Sequence, residues 1–226
     1  MNGPENLTVR DVLTLSTDFL ERKGSPSARL DAQLLAAHVL KVRRLDLYLS
    51  PERPITDLER DSLRALLVRR GNSEPVAYLI GRREFFGMDF LVTPDVLIPR
   101  PETESIVDAA LAFLSGPGFE GRPAKIADIG TGSGAIACVI ATRVPAARII
   151  ATDISSSALD VAGRNAVALG VADRITFVCT DILDSVTEPA EFDLIVSNPP
   201  YIADSEAGIT DAAARLHEPR GAWRTS

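Results

Sequence analysis

The sequence contains few of the residues that build disulfide frameworks or metal sites. Its 226 residues include two cysteines, Cys138 and Cys179, and each lies in an apolar run. We therefore expect two buried thiols in a reducing compartment rather than a disulfide. The two histidines, His38 and His217, are far apart and have no cysteine nearby. No metal-ligand spacing results, and we predict a protein without a metal site.

Long apolar runs are also missing. No stretch approaches the roughly 18 apolar residues that a membrane-spanning helix needs. The beginning of the chain, from Met1 to Leu13, does not place an apolar segment after a basic one, as a signal peptide does. We expect a cytoplasmic protein that has no membrane partner.

An excess of basic residues is absent as well, since the net charge is −7. Residues 1–75 carry 12 basic and 11 acidic side chains, whereas residues 76–226 carry 12 basic and 20 acidic ones. An acidic second half is a poor electrostatic match for a phosphate backbone, which counts against nucleic acid as the substrate. The hydrophobic content of 46% is enough for a real core and excludes a disordered chain.

The front of the chain, residues 1–75, has the pattern of a small helical bundle. Thr8 can cap a helix over about residues 9–23. Ser25 and Pro26 predict the start of a second helix, with the proline in its first turn. The sequence Thr56-Asp-Leu-Glu59 is a capping box and predicts a third main helix.

Residues 76–100 are short β-prone pieces separated by proline and glycine, and Gly87-Met88 suggests a hairpin turn. We interpret them as a β-hairpin linker between a helical domain, 1–75, and a second domain, 101–226. A helix is predicted from Glu102 to Leu114.

From Lys125 the chain alternates strands and helices. The predicted strands are 126–129, 148–152, 175–179 and 193–197, and the predicted helices are 135–143 and 156–169. This alternation predicts an α/β fold with a parallel sheet and helices on both of its faces. In such sheets ligands bind at the carboxyl ends of the strands.

A glycine-rich loop, Asp128-Ile-Gly-Thr-Gly-Ser-Gly134, follows the first of these strands and opens a helix. Glycines let the backbone turn sharply and let a ligand approach. The spacing also satisfies the loose dinucleotide pattern, which leaves a nicotinamide cofactor open at this point. Asp153, after the second strand, could accept the hydrogens of both ribose hydroxyls in either case, or could cap the next helix.

The sequence Asn198-Pro-Pro-Tyr201 directly follows the fourth predicted strand. Two prolines hold an extended backbone whose carbonyls have no helix or ladder partner. Asn198 adds a side-chain carbonyl, so the segment can accept both hydrogens of a planar –NH₂ group. Such acceptors stabilise positive charge on the nitrogen and favour attack on a methyl sulfonium, while Tyr201 offers a face for packing. This favours S-adenosylmethionine over a dinucleotide; the alternative is a simple strand-ending turn.

Several segments together resemble one family. They are Glu74–Gly81, Arg83–Phe86, Leu97–Glu104, Asp128–Gly134 and Ser197–Ile202. With the helical front domain they resemble the class I methyltransferases and, among these, the release factor glutamine methyltransferases, over about residues 8–221. Ile98-Pro-Arg-Pro-Glu-Thr-Glu104 is the most specific of these motifs; from the residues alone it predicts only a proline-rich helix start.

The resemblance implies a Rossmann-like domain that methylates the glutamine amide of the Gly-Gly-Gln motif in peptide chain release factors. The front domain would help to dock the release factor, and we expect a monomer. The implied S-adenosylmethionine-binding residues are Gly130, Thr131, Gly132, Ser133, Gly134, Asp153, Asp181, Ile182 and Asn198, with Asp181 and Ile182 beside the adenine. The implied catalytic and substrate-binding residues are Asn198, Pro199, Pro200 and Tyr201.

Two alternatives to this function stay open. The substrate could be a glutamine of a ribosomal protein, or the chain could be a non-catalytic remnant that only binds its partner. The remnant is considered because the chain ends at Ser226, soon after Asn198, where the family continues with about three further strands. After Ala222 the sequence reads Trp-Arg-Thr-Ser226 instead of the family's leucine and glycine-rich stretch. We expect a truncated or frameshifted reading frame at this point and a sheet that lacks its last strands.

Overall fold

The computed structural model describes residues 7–119, 122–186, 191–199 and 217–219. Its contacts divide the chain into two compact units, the first running to Ile80 and the second beginning at Gly81. The sequence placed this boundary at residue 75 and the hairpin in a linker. In the structure a short helix, Val76–Ile80, ends the first unit, and the hairpin is part of the second.

The first unit is built from helices, as predicted. They are α1 (Val9–Arg22), α2 (Ala28–Leu40), α3 (Asp46–Leu49), α4 (Asp57–Gly71) and α5 (Val76–Ile80). Thr8 and Asp11 form a capping box at α1, and the predicted box of Thr56 and Glu59 is present at α4. Helix α2 begins after its N-cap residue, Ser27, so Pro26 precedes the helix instead of lying in its first turn.

A buried ion pair joins α2 to α4 in this unit. Arg70 Nε donates to Asp31 Oδ2 at 2.8 Å, and the exposed fractions of the two side chains are 12% and 6%. The hydroxyls of Ser25 and Ser27 also donate to Asp31, at 2.7 and 2.9 Å. A guanidinium and two hydroxyls thus satisfy a carboxylate that burial alone would destabilise.

The second unit contains a parallel sheet of four strands flanked by helices, which confirms the predicted fold class. The strands are β3 (Lys125–Ile129), β4 (Arg148–Asp153), β5 (Ile175–Cys179) and β6 (Leu194–Ser197), in the order β5-β4-β3-β6. The helices are α6 (Glu104–Leu114), α7 (Ala135–Arg143) and α8 (Ser156–Ala168), and a 3₁₀ turn, Pro101–Thr103, precedes α6.

The core of this unit lies on one face of the sheet. Ile126, Ile149 and Ile175 are in register across three strands and share one apolar cluster with α6, α7 and α8. The other face carries Ile195, which is 53% exposed. Among the described residues helices cover one face, so the second helical layer that the alternation predicts is not seen in this part of the chain.

The β-hairpin consists of β1 (Arg82–Phe85) and β2 (Met88–Leu91). Its turn is Phe86-Gly87, one residue earlier than predicted, and both residues have positive φ, 53° and 75°. This is the backbone that two-residue hairpins favour. Phe85 and Phe90 are buried in the main core with ring centroids 6.1 Å apart, which anchors the hairpin there.

The two cysteines have different environments. Cys138 in α7 is buried as predicted, and burial is the main reason why its pKa is raised to about 12. Cys179 is exposed, so the prediction of a second buried thiol was wrong. Cys179 is the last residue of β5, which lies at the edge of the described sheet and pairs with β4 on one side. Because the side chains of an edge strand are covered less completely, an apolar run there does not guarantee that every residue is buried.

Candidate functional site

The carboxyl ends of three neighbouring strands bring the predicted site segments together. Strand β3 lies between β4 and β6, so the glycine loop lies between Asp153 and Asn198. Neighbouring strands are about 4.8 Å apart, which puts the ends of β4 and β6 about 10 Å from each other. Thr131 N–H donates to the Thr152 carbonyl, and Ser197 Oγ donates to the Ile129 carbonyl, both at 2.9 Å. The loop is therefore tied to both flanking strands.

The glycines of the loop have distinct roles. Gly130, Gly132 and Gly134 all have positive φ, at 70°, 55° and 77°. A Cβ added to Gly130 or Gly132 would meet no atom of the described residues within 4 Å, whereas one on Gly134 would lie 3.0 Å from the Ala162 Cβ. The first two glycines thus leave room for a ligand to approach the backbone, and the third allows α7 to pack closely on α8.

Asp128 lies near the end of β3, two residues before Gly130, and is 1% exposed. Its Oδ2 accepts from Thr131 Oγ1 at 2.6 Å and from Ala137 N–H at 3.2 Å. Its Oδ1 is buried and has no hydrogen-bond partner among the described residues. Burial raises the pKa of this carboxyl to about 6, and the charge of Asp153 adds to the rise. Sequence reasoning did not name Asp128 as a site residue, although its place before the first glycine was a signal.

Asp153 connects the glycine loop to the start of α8. Its Oδ2 accepts from Gly132 N–H at 2.9 Å and its Oδ1 from Ser155 N–H at 3.0 Å. The cap of α8 is Ser155, whose Oγ accepts from Ala158 N–H at 3.2 Å. The capping alternative for Asp153 is therefore wrong. Each carboxylate oxygen accepts one of these bonds and has the capacity to accept another.

Asp181 and Ile182 follow β5 in an exposed turn. Ile182 has φ of 49° and is 58% exposed. A β-branched residue rarely adopts this left-handed conformation, and such strain is concentrated at ligand sites and switches. The Thr180 N–H donates to the Asp153 carbonyl at 3.0 Å, which fixes the start of the turn beside the end of β4.

Asn198 is half-buried and directly follows β6. Its Nδ2 donates to Thr103 Oγ1 at 3.2 Å. Pro199 is exposed. The other two residues of the motif, Pro200 and Tyr201, lie outside the described residues.

The motif Ile98–Glu104 forms hydrogen bonds to three separate parts of the second unit. Arg100 Nη2 donates to both carboxylate oxygens of the buried Glu218 at 2.7 Å. Thr103 accepts the bond from Asn198, and Glu104 Oε1 accepts from Phe86 N–H at 2.9 Å. The residues alone predicted only a helix start here, because none of these three partners is near in sequence.

Asn165 in α8 is a further residue that the sequence did not single out. It is 2% exposed, and its Nδ2 donates to the Ser133 carbonyl of the glycine loop at 2.8 Å. A mid-helix asparagine has no local sequence signal for such a contact.

The described residues contain no cluster of three or more potential metal ligands. None of the helices in the described part of the chain is long and apolar enough to cross a membrane.

Comparisons with known proteins agree with this arrangement. Residues 11–81 match the family model of the PrmC N-terminal domain, and residues 105–223 match that of the methyltransferase small domain. A release factor glutamine methyltransferase of Rhodopirellula baltica is 43% identical over 215 residues, 95% of this chain and 73% of that protein. One of Chlorobaculum tepidum is 44% identical over 219 residues, 94% of this chain and 74% of that protein.

Among solved structures, a SAM-dependent methyltransferase from Agrobacterium tumefaciens matches with a TM-score of 0.43 and 21% identity, over 53% of this chain and 39% of that one. The two sequence relatives match 95% and 94% of this chain, and both are release factor glutamine methyltransferases. They confirm the resemblance that the motifs indicated. The chain belongs to the release factor glutamine methyltransferase family.

Proposed function

We propose that this protein uses S-adenosylmethionine to methylate the side-chain amide of the glutamine in the Gly-Gly-Gln motif of peptide chain release factors. The observation that carries the proposal is the position of Asn198. It follows β6, beside the glycine loop, and Thr103 binds its Nδ2. An amide acceptor thus lies next to the loop that suits a cofactor.

The residues around the loop fit S-adenosylmethionine, which would supply an electrophilic methyl group on a sulfonium. The backbone at Gly130 and Gly132 has open space for a ligand. Asp153 keeps acceptor capacity for ribose hydroxyls, and the orphan Oδ1 of Asp128 is an acceptor at the same loop. Two carboxylates also suit a ligand that carries positive charge. Asp181 and the exposed Ile182 would border the adenine.

Asn198 and Pro199 would act directly on the substrate amide. An amide nitrogen is a poor nucleophile because its lone pair is delocalised. The Oδ1 of Asn198 and the Pro199 carbonyl would accept its two hydrogens, and they would stabilise positive charge as it develops on nitrogen. Holding the nitrogen against the methyl donor supplies much of the rate. Pro200 would keep the carbonyls in place, Tyr201 would pack on the planar group, and the proton would leave to water.

The roles of the two domains, the cellular location, the oligomeric state and the partners are also proposals. The helical unit that ends at Ile80 would dock the release factor, and the unit that begins at Gly81 would bind S-adenosylmethionine. The protein would act as a cytoplasmic monomer, without direct contact with nucleic acid or membranes. The names of the relatives support the protein substrate.

A methyl-transfer assay tests this function. The protein is incubated with labelled S-adenosylmethionine and a release factor, and the modified residue is located by mass spectrometry. We expect label on the glutamine of Gly-Gly-Gln, and none when that glutamine is replaced by glutamate. Asn198→Ala is expected to lose transfer, and calorimetry measures how much of the cofactor affinity this side chain contributes.

Two outcomes would overturn the proposal. Label on ribosomal proteins of a cell extract, with none on the release factor, would assign the alternative substrate. A folded sample that binds no S-adenosylmethionine would favour the non-catalytic remnant.

A further inference from the structure

Thr103 makes a direct hydrogen bond to the side chain that the proposed function places at the substrate. Its Oγ1 accepts from Asn198 Nδ2 at 3.2 Å. Thr103 is 8% exposed and is the last residue of the 3₁₀ turn before α6. Its own N–H donates to the Arg100 carbonyl at 3.1 Å, which holds the backbone of the turn at this residue.

This bond engages one end of the Asn198 amide and holds the side chain in place. An asparagine side chain has a donor end and an acceptor end, and flipping the amide exchanges them. With Nδ2 bound to Thr103, Oδ1 is on the opposite side of the amide and accepts no hydrogen bond from the described residues. A substrate –NH₂ group needs this acceptor; the reversed amide would present two hydrogens to it.

The neighbours of Thr103 hold the turn on both sides. Arg100 is bound to the two carboxylate oxygens of Glu218, and Glu104 accepts from the hairpin turn at Phe86. The hydroxyl is therefore part of a braced segment and not of a free loop. Such bracing is what a positioning group needs, because small displacements at a reaction centre reduce rates strongly.

We propose that Thr103 is a positioning residue: its hydroxyl binds Nδ2 and holds the Asn198 side chain where Oδ1 can face the nitrogen to be methylated. The proposal rests on the proposed function and adds a residue to it. Thr103 acts through Asn198 and would not itself touch the substrate amide.

Kinetics of matched variants test this role. Thr103→Val keeps the shape and removes the hydroxyl, and we expect kcat to fall by about 10- to 100-fold while KM for S-adenosylmethionine is unchanged. Thr103→Ser keeps the hydroxyl and should stay within about threefold of the unmodified protein, well under that loss. Ser105→Ala removes a nearby hydroxyl that binds the Glu102 carbonyl, and it serves as the control with unchanged kcat. Equal kcat in Thr103→Val and the unmodified protein would overturn the proposal.

A second measurement does not depend on activity. The side-chain ¹⁵N–¹H signals of Asn198 are assigned by their loss in Asn198→Ala and then followed in the Thr103 variants. We expect a shift in Thr103→Val, little change in Thr103→Ser and none in Ser105→Ala. Unmoved signals in Thr103→Val would overturn the contact and with it the positioning role. An unmodified protein that shows the contact but does not methylate the release factor would instead overturn the proposed function.

Discussion

Asn165 pairs with the backbone of Leu91 as a neighbouring strand would. Its Oδ1 accepts from Leu91 N–H at 2.7 Å, and its Nδ2 donates to the Leu91 carbonyl at 3.0 Å. The same Nδ2 donates to the Ser133 carbonyl at 2.8 Å. One buried amide therefore ties the β-hairpin to the glycine loop.

Replacing Asn165 by Asp should weaken both the fold and cofactor binding. A carboxylate oxygen would replace the Nδ2 donor and face the Leu91 and Ser133 carbonyls, so that acceptors would meet acceptors. We expect the free energy of unfolding to fall by about 3 kcal/mol or more. Burial would raise the pKa of the new carboxyl, so stability would be regained below that pKa and lost as pH rises through it. Thermal unfolding at pH 5 and pH 7, with calorimetry of S-adenosylmethionine, measures both effects.

Val167→Asp is the control for this change, because it adds the same charge to α8 at a side chain that is 70% exposed. It should alter stability by about 0.5 kcal/mol or less. Equal losses in the two variants would mean that charge on the helix, and not the lost amide, is responsible.

The helices and strands of this protein could be predicted from sequence because their signals are local. The capping box at Thr56, the strand Ile175–Cys179 and the helix Ala135–Arg143 need only the spacing of a few residues. The glycine loop and Asn198 could be placed at one edge of the sheet by the rule for parallel strands.

The supporting contacts of the site could not be predicted in this way. Thr103 is 95 residues from Asn198, Arg100 is 118 from Glu218, and Asn165 is 74 from Leu91. No local periodicity specifies such pairs, because they depend on how the elements pack. The wrong expectation for Cys179 has the same origin, since the burial of a strand residue depends on what covers that face.

Asp128 gives a pH dependence with a definite sign. Its pKa rises from 3.8 to about 6 in the folded protein, chiefly through burial. A raised carboxyl pKa favours the folded state when the group is protonated. The stabilisation is complete below pH 4 and is lost as pH rises through 6. We expect a gain of about 1 kcal/mol in the free energy of unfolding from pH 7 to pH 5. Other groups contribute to the total, so the difference from Asp128→Asn is the quantity to measure.

Asp128→Asn also tests what the orphan oxygen does. The asparagine carbonyl can take the place of Oδ2 and keep the bonds from Thr131 and Ala137, which leaves its –NH₂ at the position of Oδ1. We expect the variant to fold and to lack the pH dependence between pH 5 and 7. If Oδ1 accepts a bond from the cofactor or its water, affinity for S-adenosylmethionine should fall by about tenfold. Unchanged affinity would exclude that role.

The buried pair of Asp31 and Arg70 should dominate the stability of the helical unit. Arg70→Met leaves the carboxylate buried without its cation, and we expect a loss of about 3–5 kcal/mol. Adding Asp31→Leu should recover most of it, because an apolar pair replaces the ion pair at similar volume. Arg10→Met breaks an ion pair whose side chains are 64% and 68% exposed, and it should cost about 1 kcal/mol or less. Chemical denaturation of the four proteins compares them.

Two glycines of the loop have different roles: Gly134 is needed for helix packing, and Gly132 leaves space for a ligand. Gly134→Ala would place a methyl 3.0 Å from the Ala162 Cβ and 3.2 Å from its Cα, at a φ of 77°. We expect a loss of about 2–4 kcal/mol in stability from overpacking and left-handed strain. Adding Ala162→Gly removes the Cβ contact alone, so it should restore only part of this loss.

Gly132→Ala should behave in the opposite way. Its added methyl meets no described atom within 4 Å, and the left-handed strain alone should cost about 1–2 kcal/mol. The methyl would occupy the space through which a ligand approaches the backbone, so affinity for S-adenosylmethionine should fall by more than tenfold. Calorimetry and thermal unfolding of both variants make the comparison. If Gly132→Ala bound the cofactor normally, the open space beside the loop would not be where the cofactor lies.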